Sequence, residues 1–466
     1  MIAESPTYQL GTVRTAPPFL KDTVRLSEIV SALSHALDLT EGAPDGHGVR
    51  TCILGMKLAQ RINLAYELRS PLFYSLLLKD IGCSSNSARM FQIFGGDETR
   101  AKREVKTVDW TRPGETLQYI CQVTAPGAPV LQRCRQAVGV AARAGRYSTE
   151  VVDVRCHRGS HAAMKMGFSA DVANGILHLD EHWDGHGKPS GVSGLAIPII
   201  ARILCLAQTL EAFLSTGSLP RTEKMLRQRR GRWFQPELCD AAQDLICQPG
   251  LLDELRQPGL DRWAMTMEPE PVEIPIDGER LDSIADGFGE VIDAKSPYTH
   301  RHSLGVTEAA VGIAQELGFC PEQQAMIRRA ALLHDIGKLG VPNAILDKPG
   351  KLTAEEWAVV RKHPEHTQSI LERSSAFSGF ASVAAAHHER LDGSGYPFGL
   401  RAGHLSLDAR IIAVADVYDA LSAERPYRAA LPWSEVHSIM SRDCGPKLDA
   451  EAFDALSNWV RGVDRG

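Results

Sequence analysis

Apolar residues recur every three or four positions along most of the chain, and strand-like alternation is scarce. The pattern is clearest between Leu26 and Leu78, for example at Ile53, Met56 and Ile62. This spacing places apolar side chains on one face of a helix, so it predicts amphipathic helices. We therefore predict an all-α fold.

A mixed region interrupts the helical pattern between residues 84 and 155, where Gly95-Gly96 and Pro113-Gly114 are turn signals. We interpret this region as an insertion of loops and short helices. Helical patterning then returns, and the apolar stretch from Leu195 to Leu214 contains Arg202, a residue that favours a buried helix over a membrane span.

A segment rich in proline and acidic residues, 265–278, separates two helical halves. Its composition is typical of a linker with one short strand-like piece. Because 466 residues exceed what one core comfortably holds, we expect two domains. The predicted division is a lead-in over 1–25, a first domain over 26–264, the linker, and a second domain over 279–466.

An internal repeat relates the two halves. A shift of 208 residues places Asp184–Gly191 on Asp392–Gly399, and a shift of 255 places Lys79–Gly82 on His334–Gly337. The shifts differ by 47 residues, which is extra chain in the first half, where the insertion lies. We therefore predict that the halves are homologous domains.

The polar residues differ between the two copies. Opposite each other stand His47 and His302, Lys79 and His334, Cys83 and Lys338, Leu179-Asp180 and His387-His388, and Gln208 and Asp416. The first copy therefore cannot build the polar site that the second copy predicts. We expect a sensory, dimerising or scaffold role for it, and its own histidines at 157, 161, 178, 182 and 186 leave a separate metal site open.

Seven side chains of the second half can ligate metal. They are His302, His334, Asp335, His363, His387, His388 and Asp416. Imidazoles and carboxylates together suit iron, manganese, zinc or nickel, and a carboxylate can bridge two such ions. Since seven ligands exceed the need of one ion, the sequence predicts a pair of metals.

The surrounding sequence supports these ligands. His334 and Asp335 end an apolar helix that begins near Arg329, and Asp416 lies inside the apolar helix IIAVADVYDAL. A lone buried carboxylate is costly, so a cation is its expected partner. Asp392 has a simpler interpretation as a turn residue, because Asp-Gly-Ser-Gly is turn chemistry, and both interpretations stay open.

Several ordered motifs run through the second half. They are Tyr298-Thr299 with His302, HDIGK at 334–338, LDKPGKLTAEE at 346–356, HHERLDGSGYPFGL at 387–400 and ADVYDALSAERPYR at 415–428. With them, residues 284–456 resemble the HD-GYP family of bacterial cyclic-dinucleotide phosphodiesterases. The first half resembles a degenerate HD domain. The resemblance implies two tandem HD-type helical domains.

This resemblance also implies an activity and residue roles. It implies metal-dependent hydrolysis of cyclic di-GMP to linear pGpG, with onward cleavage to GMP left open. Asp335 and Lys338 are the expected catalytic residues. Lys338, Tyr396, Arg425 and Arg428 are expected to face substrate. Alternatively, Lys338 forms a surface salt bridge, the arginines are solvated, and Tyr396 only packs.

The same resemblance guides the metal count. Family members with a third metal carry a glutamate four residues before the first histidine of the site, and this chain has Tyr298 there. We therefore expect two divalent ions, iron or manganese, held by the seven ligands. The rival hypotheses are a phosphodiesterase for another cyclic dinucleotide, such as cyclic GMP-AMP, and a receptor or scaffold that binds the nucleotide without turnover.

Composition limits the kinds of binding partner that the chain is expected to have. A net charge of −6 gives no general attraction to nucleic acid, so we interpret the basic run 227–232 as a solvated turn. The ten cysteines show no CxxC spacing, which favours reduced thiols in the cytoplasm. We predict no membrane span, and a homodimer or a signalling protein partner stays open.

Overall fold

Helices make up nearly all the regular structure in the computed structural model, which describes residues 23–299, 301–424 and 428–463. The all-α prediction is confirmed. The first half contains the helices α1 (Leu26–Thr40), α2 (His47–Arg61), α3 (Tyr66–Leu78), α4 (Ser87–Phe94), α5 (Glu98–Val105), α6 (Pro113–Val123), α7 (Val130–Ala141), α8 (Ala144–Lys165), α9 (Ala170–Leu177), α10 (Ile199–Thr216), α11 (Leu219–Arg229), α12 (Pro236–Ile246), α13 (Leu251–Glu254) and α14 (Leu260–Thr266).

The second half continues the helical pattern and carries all seven predicted ligands. Its helices are α15 (Glu279–Asp293), α16 (His302–Glu316), α17 (Pro321–Leu333), α18 (Asn343–Leu346), α19 (Ala354–Val360), α20 (His363–Leu371), α21 (Ser375–Ala385), α22 (Leu407–Ser422), α23 (Trp433–Met440) and α24 (Ala450–Val463). A 3-10 turn, Ile336–Gly340, follows directly after His334 and Asp335.

Two short strands join the start of the described chain to the linker. Strand β1 (Thr23–Arg25) pairs antiparallel with β2 (Glu273–Pro275), and Val24 lies opposite Ile274. This pairing contains the strand-like piece predicted for residues 265–278. The rest of the predicted lead-in, residues 1–22, lies outside the described residues.

One apolar core runs through both halves, and it includes Ile53 and Leu204 of the first half and Phe288 and Leu332 of the second. The inserted region adds a smaller cluster of its own around Ile93 and other buried residues of α4 to α7. The two-domain division therefore stays a sequence prediction, while the packing places both halves on a continuous core.

Helix α10 is long and apolar enough to cross a membrane, but 78% of it is buried inside the protein. It packs against α2, α3 and α9. This is the buried helix expected for residues 195–214. All ten cysteines lie in the described residues, and none of them forms a disulfide there.

The internal repeat is visible in the folded chain. The carboxylate of Glu181 accepts hydrogen bonds from the backbone of Ser190 and Gly191, and Glu389, 208 residues later, accepts them from the backbone of Phe398 and Leu400. Each turn therefore closes on a buried glutamate. The two halves build the same turn although only the second precedes it with paired histidines.

Two matching glycines bring helices close together in the two halves. A side chain on Gly337 would lie 1.9 Å from the carbonyl oxygen of His363, and one on Gly82 would lie 2.0 Å from that of Arg155. Only glycine allows these approaches. In the second half the approach sets His363, at the start of α20, beside His334 and Asp335.

Candidate metal centre

Five helices of the second half deliver the seven predicted ligands to one place. His302 begins α16, His334 and Asp335 follow α17, His363 begins α20, His387 and His388 follow α21, and Asp416 lies within α22. All are buried except His388, whose side chain is 18% exposed. Four helix ends and the interior of α22 therefore place these side chains around one point.

The carboxylate of Asp335 lies between two groups of histidines. One oxygen, Oδ1, is 3.3 Å from Nε2 of His363 and 3.5 Å from Nε2 of His387. The other oxygen, Oδ2, is 3.2 Å from Nε2 of His334 and 3.5 Å from Nε2 of His302. This arrangement suits a carboxylate that bridges two cations.

Asp416 spans the same two groups from the opposite helix. Its Oδ1 is 3.4 Å from Nε2 of His302, and its Oδ2 is 3.5 Å from Nδ1 of His388. The ligand atoms of His302, His334 and Asp335 lie within 4.8 Å of one another. The ligand atoms of His363, His387 and His388 form a second group of the same size.

Backbone carbonyl groups fix the orientation of three imidazoles. The Nδ1 atoms of His334, His363 and His387 lie 2.6, 2.7 and 2.7 Å from carbonyl oxygens three residues earlier in the chain. A carbonyl oxygen only accepts, so each Nδ1 carries a proton, and Nε2 is the nitrogen that faces Asp335. These are the tautomers that metal ligation requires.

One buried ligand atom tests whether the site fits a cation. The Nε2 of His334 has no hydrogen bond within residues 23–299, 301–424 and 428–463, although the side chain is fully buried. A buried polar atom without a partner is costly. Because the neighbouring donors are imidazole nitrogens and carboxylate oxygens, the residues present fit a pair of divalent transition metals.

The two carboxylates are ionised in this cluster. Burial raises the pKa of Asp335, but the imidazole of His334 and the ammonium of Lys338 outweigh burial and hold that pKa well below its usual range. The pKa of Asp416 is likewise held well below its usual range, because the hydrogen bond to His302 outweighs burial. Both groups are therefore charged acceptors.

The imidazoles differ in charge. Burial lowers the pKa of His387 to about 4 and lowers that of His388 well below its usual range, so both are neutral. For His302 the hydrogen bonds to Asp416 and Asp419 outweigh burial and raise its pKa to about 9. A cation bound at Nε2 of His302 would therefore release a proton.

The predicted substrate residues take different positions. Lys338 donates a hydrogen bond to Oδ2 of Asp335, so it lies at the cluster. The ring of Tyr396 is 4.7 Å from that of His388. Arg428 donates hydrogen bonds to the carbonyl oxygens of Ala420 and Leu421 at the end of α22. Its guanidinium is therefore bound to that helix. Arg425 lies outside the described residues.

Sequence reasoning missed three residues at the site. Asp419, one helical turn after Asp416, holds Nδ1 of His302 at 2.6 Å. Arg361 lies over the ring of Tyr396 at 4.9 Å, and Trp357 lies 6.1 Å from the same ring. The spacing of Asp419 within an apolar helix was a usable signal. The position of α19 was not readable from the sequence.

Comparison with known proteins gives consistent matches. The sequence profile of a family described as HD domain matches residues 142–238 and 277–452. A 3′3′-cGAMP-specific phosphodiesterase from Vibrio cholerae serotype O1 is 41% identical over 436 residues, which cover 94% of this chain and 95% of the relative. These matches confirm the resemblance predicted from the motifs.

Two further matches cover about a third of the chain and nearly all of it, respectively. A cyclic di-GMP phosphodiesterase from Pseudomonas aeruginosa is 42% identical over 165 residues, 35% of this chain and 39% of the relative. The crystal structure of a cyclic GMP-AMP specific phosphodiesterase from Vibrio cholerae superposes with a TM-score of 0.64 at 36% identity, covering 94% of this chain and 98% of that chain.

Proposed function

The chain belongs to the HD domain family and is a metal-dependent phosphodiesterase, and on that premise we propose that it opens the ring of 3′,3′-cyclic GMP-AMP. One observation carries the choice of substrate. The relative that matches both halves of the chain, at 41% identity, is specific for that nucleotide. Its agreement extends through the first half as well as the metal centre.

Cyclic di-GMP, the substrate expected from the motifs, is the second candidate. Its support comes from cyclic di-GMP phosphodiesterases that are 42% and 38% identical to this chain over about a third of its length. The two nucleotides differ in one base, and their phosphodiester groups are the same. The metal centre therefore suits both, and base recognition must separate them.

We assign the binding of two divalent ions, iron or manganese, to the seven ligands. His302, His334 and Asp335 would hold one ion, and the histidines His363, His387 and His388 the other. Asp335 would bridge them and Asp416 would contribute to both groups. Such ions supply Lewis-acid activation of water and of a phosphoryl oxygen.

The chain's own residues complete the reaction site. Asp419 keeps the ring of His302 oriented through Nδ1. The ammonium of Lys338, now on Asp335, can neutralise a nonbridging phosphate oxygen as negative charge develops. Hydrolysis adds water across one phosphodiester bond, and the leaving ribose oxygen takes up a proton. The product of the first cleavage is a linear dinucleotide.

An aromatic surface beside the cluster is suited to a nucleobase. It consists of Trp357, which is 45% exposed, together with Tyr396 and the guanidinium of Arg361 above the Tyr396 ring. Bases stack on such rings, and arginine adds a cation–π contribution. We propose that this surface holds one base of the cyclic dinucleotide.

The test uses the full chain loaded separately with iron(II) and manganese(II). Each form is incubated with 3′,3′-cyclic GMP-AMP and with cyclic di-GMP, and products are separated by chromatography. We expect kcat/KM to be higher for cyclic GMP-AMP and linear product to appear. Asp335→Asn should lose at least about 10²-fold in rate and much of its bound metal. Binding of either nucleotide without cleavage by the metal-loaded protein would favour the receptor hypothesis.

Cellular location and assembly remain predictions. The cytoplasmic location rests on unpaired cysteines and on sequence composition. We propose that the first half binds a second copy of the chain or a signalling protein, because that half lacks most of the candidate metal ligands.

A further inference from the structure

A cavity of about 200 Å³ lies in the first half, between the inserted helices and the helices α8 and α10. Its wall is mainly apolar. The apolar lining includes Met90, Ile93, Phe94, Tyr119, Ile120 and Val140. This volume is large enough for a small organic molecule. The phosphodiesterase activity described above does not use it.

The cavity occupies the place that corresponds to the catalytic cleft. Cys83, Asp180 and Gln208 line it. Shifts of 255 residues for the first and 208 for the other two place them on Lys338, His388 and Asp416. The first half has therefore kept the pocket of its fold while its polar residues changed.

Ammonium groups lie beside the carboxylates at the place that corresponds to the candidate metal centre. Glu41, Asp80 and Cys83 have ligand atoms within 4.8 Å of one another, as a metal site would require. However, Nζ of Lys106 lies 2.9 Å from Glu41 and 3.7 Å from Asp80. Lys79, the counterpart of His334, donates to Asp80 as well. The carboxylates already have their cations.

Each carboxylate of the wall has at least one cationic partner. Arg155, the counterpart of His363, pairs with Asp180. Lys102 lies 3.5 Å from Glu41 and donates to the hydroxyl of Ser87. An anionic ligand would have to displace these buried carboxylates, which is costly. The wall therefore favours a ligand without net charge.

Aromatic rings form one side of the cavity. His182 stacks on Trp233 with ring centroids 4.0 Å apart, and Trp110 lies 4.9 Å from His182. Arg229 covers Trp233 at 3.8 Å; this arginine is buried, so the predicted solvated turn is wrong at this residue. Burial and Arg229 lower the pKa of His182 to about 3, so its ring is neutral.

Three uncharged lining residues carry buried polar atoms that lack hydrogen bonds. Asn86 Oδ1, His182 Nδ1 and Trp233 Nε1 have no partner in the part of the chain that the structure describes. Buried polar atoms usually have one, and a bound molecule with hydrogen-bonding groups can supply it. The wall thus combines apolar contact with unused polar atoms.

We propose that this cavity binds an uncharged, largely apolar small molecule that carries an aromatic ring and at least one hydrogen-bonding group. The aromatic ring of the ligand packs against Trp110, His182 and Trp233. Its polar group forms hydrogen bonds with the buried polar atoms that lack a partner. This site is additional to the metal centre and does not depend on which cyclic dinucleotide is cleaved.

The test uses N-phenyl-1-naphthylamine, an uncharged aromatic amine whose fluorescence rises in apolar surroundings, titrated into the full chain. We expect saturable binding of one probe per chain. Ala144→Phe fills the cavity from the first turn of α8 and should weaken binding at least about tenfold. Ala142→Phe, on an exposed neighbouring residue, is the matched control and should bind as the unmodified chain does.

Ser148→Phe blocks the same space from the next turn of α8 and serves as a second variant. Circular dichroism and the metal-dependent phosphodiesterase rate check that each variant is folded. The proposal is overturned if no saturable binding occurs, or if folded Ala144→Phe and Ser148→Phe bind the probe as tightly as Ala142→Phe does, because the probe would then lie on the surface.

Discussion

The Nδ1 atom of His302 lies 2.6 Å from a carboxylate oxygen of Asp419. In the first half, His47 makes the same contact with Glu211, 208 residues before Asp419. The pair that orients the first histidine therefore persists where most metal ligands have been lost. In the second half its consequence is that Nε2 of His302 faces Asp335 and Asp416.

Asp419→Asn should weaken metal binding about 10- to 100-fold, because the ring of His302 loses the carboxylate that orients it and raises its basicity. Metal content after dialysis against a weak chelator measures this change. Asp408→Asn, on the same helix α22, is the control and should retain its metal. Equal metal content in the two variants would contradict the role of Asp419.

Lys338→Met should lower kcat about 10²- to 10³-fold while the protein keeps its metal, since the variant loses the charge that neutralises a phosphate oxygen. Steady-state kinetics with parallel metal analysis separates the two effects. Lys447→Met removes a half-exposed lysine paired with Asp443 and should leave kcat unchanged. An unchanged kcat in Lys338→Met would support the salt-bridge alternative.

Trp357→Leu should raise KM about tenfold with little change in kcat, because a stacked base contributes roughly 1–3 kcal/mol to binding. Val359→Ala alters an exposed apolar residue of the same helix and serves as the control. Tyr396→Phe keeps its ring and should bind substrate normally. If KM stays the same in Trp357→Leu, the base lies elsewhere.

His35 makes stability depend on pH where the two halves meet. Burial lowers its pKa, but Asp261 and Asp45, 2.9 and 2.7 Å from its ring nitrogens, outweigh burial and the opposing charge of Arg373 and raise the pKa to about 9. Because the folded-state value exceeds the unfolded one near 6.5, this contribution is complete below pH 6.5 and is lost as pH rises through 9.

We therefore expect the wild-type free energy of unfolding to fall by roughly 2–3 kcal/mol more than that of His35→Asn between pH 6.5 and 9.5. Urea unfolding at several pH values measures the difference. His157→Asn replaces an exposed histidine and should follow the wild type. Parallel pH profiles for His35→Asn and wild type would refute the linkage.

Glu98 joins the insertion to the second half, and Glu98→Gln should lower the free energy of unfolding by about 3 kcal/mol. Its carboxylate accepts hydrogen bonds from Lys295 and from the backbone of Asn343. Burial already lowers the pKa of Lys295 to about 8, and the variant would leave that lysine without its anion.

Urea unfolding midpoints measure the effect of Glu98→Gln. Glu104→Gln, which breaks a surface pair with Arg100 on the same helix, should cost no more than about 0.5 kcal/mol. Similar losses in the two variants would mean that Glu98 does not hold the halves together.

The sequence by itself determined the helices, the repeat and the seven candidate ligands. Helical periodicity is a local property, and the ordered motifs carry residue types whose chemistry is independent of packing. It also located the chemistry in the second copy, since Lys79 and Leu179 stand where His334 and His387 stand in the other.

Only the tertiary structure decided how these residues meet. Asp335 lies between two histidine groups because α17 and α20 approach through Gly337, a contact between residues distant in the chain. The same kind of contact brings Trp357 to Tyr396 and encloses the cavity of the first half, which Lys106 lines. Such contacts depend on how helices pack against one another, and periodicity within each helix does not specify that packing.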